Sequence, residues 1–321
     1  MLPKDRVTSE ILKNHFKIDG DEKYKDLMKR LSPPYHRQGP PFDNPLGEIK
    51  WDYEQFQRKL RRARGLPSTP DIETIQNMLS NLYNLALTAT DEPLLYNFVA
   101  SIPSLPNLVF ADFEEAAQNV NLTRLNSYKY FGPLRQVNAA YAGTGLGLCK
   151  HWGDVLKCDE EEQLMSPTQV LTISYTKEEL VLEASYAVNA HWIYGEAYQR
   201  YTEYGFSHLQ EYKSADFWDQ IEKRITTLVK ANGMKVGELL LIGESAEEKE
   251  FLETVWRALG KLELGHLWAP LQVPGFKAEF MAARGSAEMA KRWQGEPYGC
   301  LEGDWCEGNR KPGDDAMEEE T

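Results

Sequence analysis

No apolar run in this 321-residue chain approaches the ~20 residues that a membrane-crossing helix needs. Histidine is scarce, and His15, His36, His151, His191, His208 and His266 lie scattered without metal-ligand spacing, so no metal is expected. The 4 cysteines fall into two pairs, Cys149/Cys158 and Cys300/Cys306. Each pair is wider than the gap of about two to four residues usual in zinc sites. Reduced, buried thiols are therefore expected first, disulfides second and metal ligation last. Positive charge is also short. Lys and Arg number 36 against 49 Asp and Glu, a net charge of −13 that argues against a nucleic-acid groove or an anionic membrane as partner. The opening residues carry Lys4, Asp5, Arg6 and Glu10 where a secretory leader would be apolar, which makes the cytoplasm the expected location.

Familiar catalytic signatures are missing as well. There is no Ser-His-Asp, His-Glu-x-x-His or Gly-x-Ser-x-Gly pattern. Gly143-Thr144-Gly145-Leu146-Gly147 lacks dinucleotide-loop spacing and follows a helical pattern, so close helix packing is its expected role.

What is present is an ordinary folded composition, 42% hydrophobic and 26% charged, enough for one large domain or two modest ones. Residues 1–67 read as a polar, irregular to helical N-terminal arm, with a proline-rich connector from Ser32 to Pro45. The basic cluster Arg58, Lys59, Arg61, Arg62 and Arg64 reads as a solvated helix face. Thr69 and Pro70 open a helix whose stripe is Ile72, Ile75, Met78, Leu79, Leu82 and Ala86.

A strand is expected over Leu95–Ile102 and a short helix over Asp112–Val120. Gln169–Ser174 and Leu180–Ser185 read as two strands joined at Thr176-Lys177-Glu178. Tyr186 to Phe217 is crowded with aromatic residues. Then come a helix over Trp218–Val229 and a buried strand over Glu238–Ile242. Ser245 and Glu248 suggest a capping box for a helix whose face is Phe251, Leu252, Val255, Trp256 and Leu259. A last helix spans Lys277–Trp293, and Gly313–Thr321 is an acidic tail expected to be disordered. Alternating helices and strands imply an α/β fold.

Three stretches, in order, resemble the ATPase domain of heat-shock chaperones: 136–147, around Ala139-Ala140-Tyr141-Ala142-Gly143; Leu239 to Ser245; and Ala282 to Glu288. They are similar to the helix joining the two lobes, the strand–turn–helix unit that holds adenosine, and the closing helix. Fungal members of this superfamily are similar also in the run Gly145-Leu146-Gly147-Leu148-Cys149 and in the late paired cysteines.

The resemblance covers about 94–306 and implies an actin-like ATPase (ribonuclease-H-like) fold with a truncated first lobe and degenerate phosphate loops. Residues 68–148 would be the remnant of the first lobe and 149–306 the second lobe, with 186–217 an inserted aromatic subdomain roofing a cleft and 307–321 the tail. Asp19-Gly20-Asp21 is the one candidate for the first phosphate loop, in a charged, helical-looking stretch. The second, Leu171 to Thr176, has neither carboxylate nor glycine, and Glu244 replaces a family glycine. Phosphate and Mg²⁺ need bare N–H groups and a carboxylate, so ATP hydrolysis and a bound cofactor are not expected.

On this view the emptied cleft could serve a cofactor-free cyclase or pericyclase of fungal secondary metabolism acting on an apolar small molecule. Its catalytic residues would be His191, Arg284 and Glu244, with Trp192, Tyr194, Tyr198, Tyr141 and Ser245 binding substrate. The alternative is a non-catalytic pseudo-ATPase that binds a protein partner. A homodimer completing the short lobe stays open.

Overall fold

Leu171, Ile173 and Tyr175 alternate with Val170, Thr172 and Ser174, and all six are buried. A strand buried on both faces needs a layer of helices on each side, and both are present. The computed structural model describes residues 16–32, 40–42, 44–90, 97–103, 105–125, 134–212, 214–272 and 277–293. Its main sheet has the order β7–β6–β5–β8, where β5 is Thr168–Tyr175, β6 Leu180–Ala187, β7 Ile193–Tyr201 and β8 Val236–Ile242. The first three form an antiparallel meander, and β8 returns parallel to β5, pairing Leu171 with Leu239 and Ile173 with Leu241.

One face of the sheet is covered by α7 (Ser214–Ala231) and α8 (Lys249–Lys261), through Phe217, Ile221, Ile225, Phe251 and Val255. The other is covered by α5 (Gln136–Gly143) and α9 (Met281–Trp293), through Val137, Ala140, Met289 and Trp293. The α5–α9 crossing depends on small residues. A Cβ added at Gly285 would lie 1.6 Å from the Ala139 carbonyl oxygen, and one at Gly143 would lie 2.1 Å from that of Met281. Close packing is thus the structural role of Gly143.

The N-terminal part is mostly helical. It contains α1 (Glu22–Leu31), α2 (Pro45–Ala63), α3 (Pro70–Thr90) and α4 (Phe110–Gln118). Leu27, Ile72, Ile75, Phe113 and Ala116 make a separate small core. The Thr69 cap is formed, with Ile72 N–H donating to Oγ1 at 3.1 Å. The basic cluster on α2 pairs with acids: Arg58 with Asp112, Arg61 with Glu73 and Arg62 with Glu115. Those guanidiniums are held by carboxylates of α3 and α4 instead of facing a polyanion.

Several expectations are corrected. Of the strand expected over 95–102, the described part is only two short pieces, β1 (Asn97–Phe98) and β2 (Ser101–Ile102). They pair in parallel with β3 (Thr123–Arg124) and β4 (Leu134–Arg135). Within the aromatic segment 186–217, residues 193–201 form strand β7 of the main sheet. Ser245 does not cap α8, which starts at Lys249 behind Glu248. Trp256 does not face the core but is 47% exposed and packs against Trp268. Cys149 and Cys158 are not free thiols: they form a disulfide. Cys300, Cys306, residues 33–39 of the proline-rich connector and the acidic tail lie outside the described residues.

Candidate functional site

The helix α6 (Val155–Gln163) is short and mostly polar, yet it presents two buried groups, Cys158 and Glu162, one turn apart. Asp154 caps it by accepting the Lys157 N–H at 3.2 Å. Farther along, Glu161 reaches back to the loop bearing Cys149, accepting the N–H groups of Lys150 at 2.6 Å and His151 at 3.3 Å. Its bond with the His151 ring comes first among the causes that hold the Glu161 carboxyl below the usual range. From α9, Arg292 donates to the Cys149 carbonyl at 3.0 Å.

His191 closes the far side of this cluster. It sits in the β6–β7 turn, held by Asn189, whose side chain accepts the N–H groups of His191 and Trp192, both at 2.9 Å. From α5, Asn138 donates to the carbonyls of Ala190 and His191 at 2.9 and 3.2 Å. The ring is 2% exposed, with Nε2 3.5 Å from Glu162 Oε1 and Nδ1 without a hydrogen-bond partner. The Trp293 ring lies 6.2 Å away, centroid to centroid.

The remaining expected site residues do not gather around His191. Ser245 is 2% exposed, and its N–H donates to the Tyr175 carbonyl at 3.2 Å. Tyr141 is buried on α5 against Gly147, and burial, aided by the charge of Glu238, pushes its hydroxyl up to about 12. Arg284 is exposed on α9, and Glu244 is exposed in the turn after β8. Trp192, Tyr194 and Tyr198 are exposed too, but they do not share a face. Tyr194 pairs with Tyr186, whereas Tyr198 pairs with Glu183 on the opposite side, because Glu196 is an extra residue between the paired Gly195 and Ala197. A bulge of one residue reverses which way every later side chain points.

The two turns expected to hold nucleotide are tied to each other. Glu244 Oε1 accepts the backbone N–H of Lys177 at 3.0 Å, and Thr176 Oγ1 accepts the N–H of Glu179 at 3.1 Å. Lys17 bonds Glu279 and, with Glu244 also nearby, has its ammonium held above the ordinary lysine range. The preceding Gly243 has φ +106°, and a Cβ there would lie 2.1 Å from the Tyr175 carbonyl oxygen, so the turn itself requires glycine. Asp21, in the other candidate phosphate loop, caps α1 by accepting the Tyr24 N–H at 2.8 Å.

Two open grooves lie elsewhere. One of about 610 Å³ is polar and lined by Arg62, Gln76, Glu114, Glu115 and Asn119. The other, of about 690 Å³, is lined by Leu252, Trp256 and Trp268 among others. Among the described residues no helix is long and apolar enough to cross a membrane. Neither a family model nor a curated protein matches the chain.

Proposed function

We propose that this chain is a degenerate relative of the heat-shock-chaperone and actin-like ATPases that binds another protein and neither holds nor hydrolyses nucleotide. The observation that carries this reading is the Glu244–Lys177 hydrogen bond. A backbone N–H that could serve a phosphate is already given to the protein's own carboxylate, and a second anion beside Glu244 would be repelled. The sheet supports the ancestry: an antiparallel meander followed by a parallel fourth strand, with helices on both faces, suits one lobe of such a fold.

The surface best suited to a partner is the outer edge of β7. It ends the main sheet among the described residues, and Tyr186, Trp192 and Tyr194 stand exposed around its first residues. Exposed aromatics beside an edge strand favour docking of an extended polypeptide. The cyclase reading receives less support. It requires His191 and Ser245 to meet substrate together with Glu244 and Arg284, and the first two are buried while the others face solvent.

Native mass spectrometry of the full chain with and without Mg-ATP tests the proposal. The expected spectrum is unchanged by nucleotide. One added nucleotide per chain would overturn it, and a co-purifying apolar small molecule would return the cyclase to first place. The same spectrum reads the oligomeric mass and so tests the homodimer.

A further inference from the structure

Cys149, Cys158 and Glu162 are all buried, and their ligand atoms lie within 4.8 Å of one another. We propose that, when the Cys149–Cys158 disulfide is reduced, these three residues and His191 form a zinc site. The chemistry of the set is right for that ion: two thiolates, an imidazole and a carboxylate are the ligands Zn²⁺ selects, four in number.

The distances from Glu162 agree. Bonds of ~2.3 Å to sulfur and ~2.0–2.2 Å to nitrogen and oxygen put neighbouring ligands of a tetrahedral zinc roughly 3.3–3.8 Å apart. Glu162 Oε1 lies 3.6 Å from Cys158 Sγ and 3.5 Å from His191 Nε2. To close the set, the bonded sulfurs must separate and the His191 ring must draw in toward them.

Two further features suit a metal site. A disulfide sulfur has no proton to donate, yet Glu162 sits at thiol hydrogen-bond distance from one. The His191 ring is almost wholly enclosed, and its Nε2 faces Glu162 at 3.5 Å. The frame does not depend on the disulfide either. Glu161 ties the Cys149 loop to α6, Arg292 holds the Cys149 carbonyl, and Asn138 and Asn189 hold the His191 turn. Arg292 also brings a positive charge toward a set that would carry three negative charges against two on the metal.

The exchange balances. A phosphine reductant takes the oxygen of one water, and the S–S bond opens to two thiols carrying that water's two protons. Zn²⁺ then displaces those protons as both thiolates bind. In a cell, a dithiol oxidised to its own disulfide would supply the same two electrons and two protons.

The test is anaerobic titration of the full chain with Co²⁺ and then Zn²⁺, after phosphine reduction and removal of the phosphine. The reduced protein is expected to take up one Co²⁺ with a thiolate-to-metal charge-transfer band that Zn²⁺ abolishes, and the oxidised protein none. Replacing Cys300 and Cys306 by Ser should leave the band intact, and Cys149→Ser with Cys158→Ser should remove it. Glu162→Gln, nearly isosteric, and His191→Ala should each weaken binding tenfold or more. The absence of a band in the reduced wild type would overturn the site, and that comparison needs no variant. So would a band lost only with Cys300 and Cys306, or affinity unchanged by both Glu162→Gln and His191→Ala.

Discussion

Glu244 accepts the backbone N–H of Lys177 at 3.0 Å, joining the turn after β8 to the turn between β5 and β6. The bond joins the ends of two strands that are themselves neighbours in the sheet, so it fastens the rim of the main sheet. Glu244→Ala is expected to lower stability by about 1 kcal/mol, the usual net worth of a hydrogen bond, discounted for its exposure. It should create no response to Mg-ATP, because the turn gains no Mg²⁺-binding carboxylate. Thermal unfolding of the variant with and without Mg-ATP checks both statements. A rise in melting temperature on adding nucleotide would show that Glu244 alone was blocking a competent site.

Gly285 and Gly143 set the distance between α5 and α9. Gly285→Ala must push the helices apart, since the new methyl meets backbone and not a side chain that can swing away. A loss of about 3 kcal/mol or more is expected in urea unfolding. Gly143→Ala should cost a comparable amount, and the double variant less than the two together, since both open the same gap. A cost near zero for Gly285→Ala would mean that the crossing is looser than described.

Glu222, on α7, is 7% exposed at its side chain and is clasped by Arg257 and Lys261 of α8. Burial works to raise its pKa, but the two cations prevail and hold the carboxyl below the usual range. A group lowered on folding stabilises the protein above its unfolded pKa, and that contribution fades as pH falls through the folded value. Glu222→Gln should cost about 1–2 kcal/mol near neutral pH, because the two cations are half-exposed and screened by water. The penalty should shrink in acid. Urea midpoints of both proteins from neutral to acidic pH would show the curves converging, and parallel curves would contradict the pairing.

Tyr141 supplies the alkaline counterpart. Its pKa, pushed up to about 12, exceeds the ordinary tyrosine value, and burial raises Tyr175 in the same direction. Stability tied to a raised pKa is whole below the unfolded value of about 10 and declines as pH climbs through the folded value. The decline should reach about 1.4 kcal/mol per pH unit for each tyrosine. Phenolate absorbance in the folded protein should therefore lag behind that of the unfolded chain. Tyr141→Phe should make the decline shallower.

The sheet and its helices were legible because their signals are local. Gln169 to Ser174 and Leu180 to Ser185 carry strand patterns, and Trp218 to Val229 carries a helical one. The site was less legible, for three physical reasons. The bulge at Glu196 leaves no mark in composition, yet it sends Tyr194 and Tyr198 to opposite faces. Spacing along the chain pairs Cys149 with Cys158 but does not show that the loop before α6 folds back and brings residues nine apart into bonding distance. Glu162 and His191 are distant in sequence and meet only through tertiary packing, so neither stood out as the partner of the other. Ser245 and Glu248 matched a capping pattern, but the carbonyl of Tyr175 draws the Ser245 N–H into the sheet rim and delays the helix to Lys249.

The α5–α9 clasp also sets a timetable for synthesis. Gly285 follows Ala139 by about 146 residues, and a ribosome adding ~5–20 residues per second takes roughly 7–30 s to cover that distance. During that interval α5 has emerged, and once β8 follows it can lie on the sheet, but its small-residue groove is open to whatever else is nearby. From β8 onward the nascent chain thus waits with one side of its sheet half-covered until α9 emerges to close the groove.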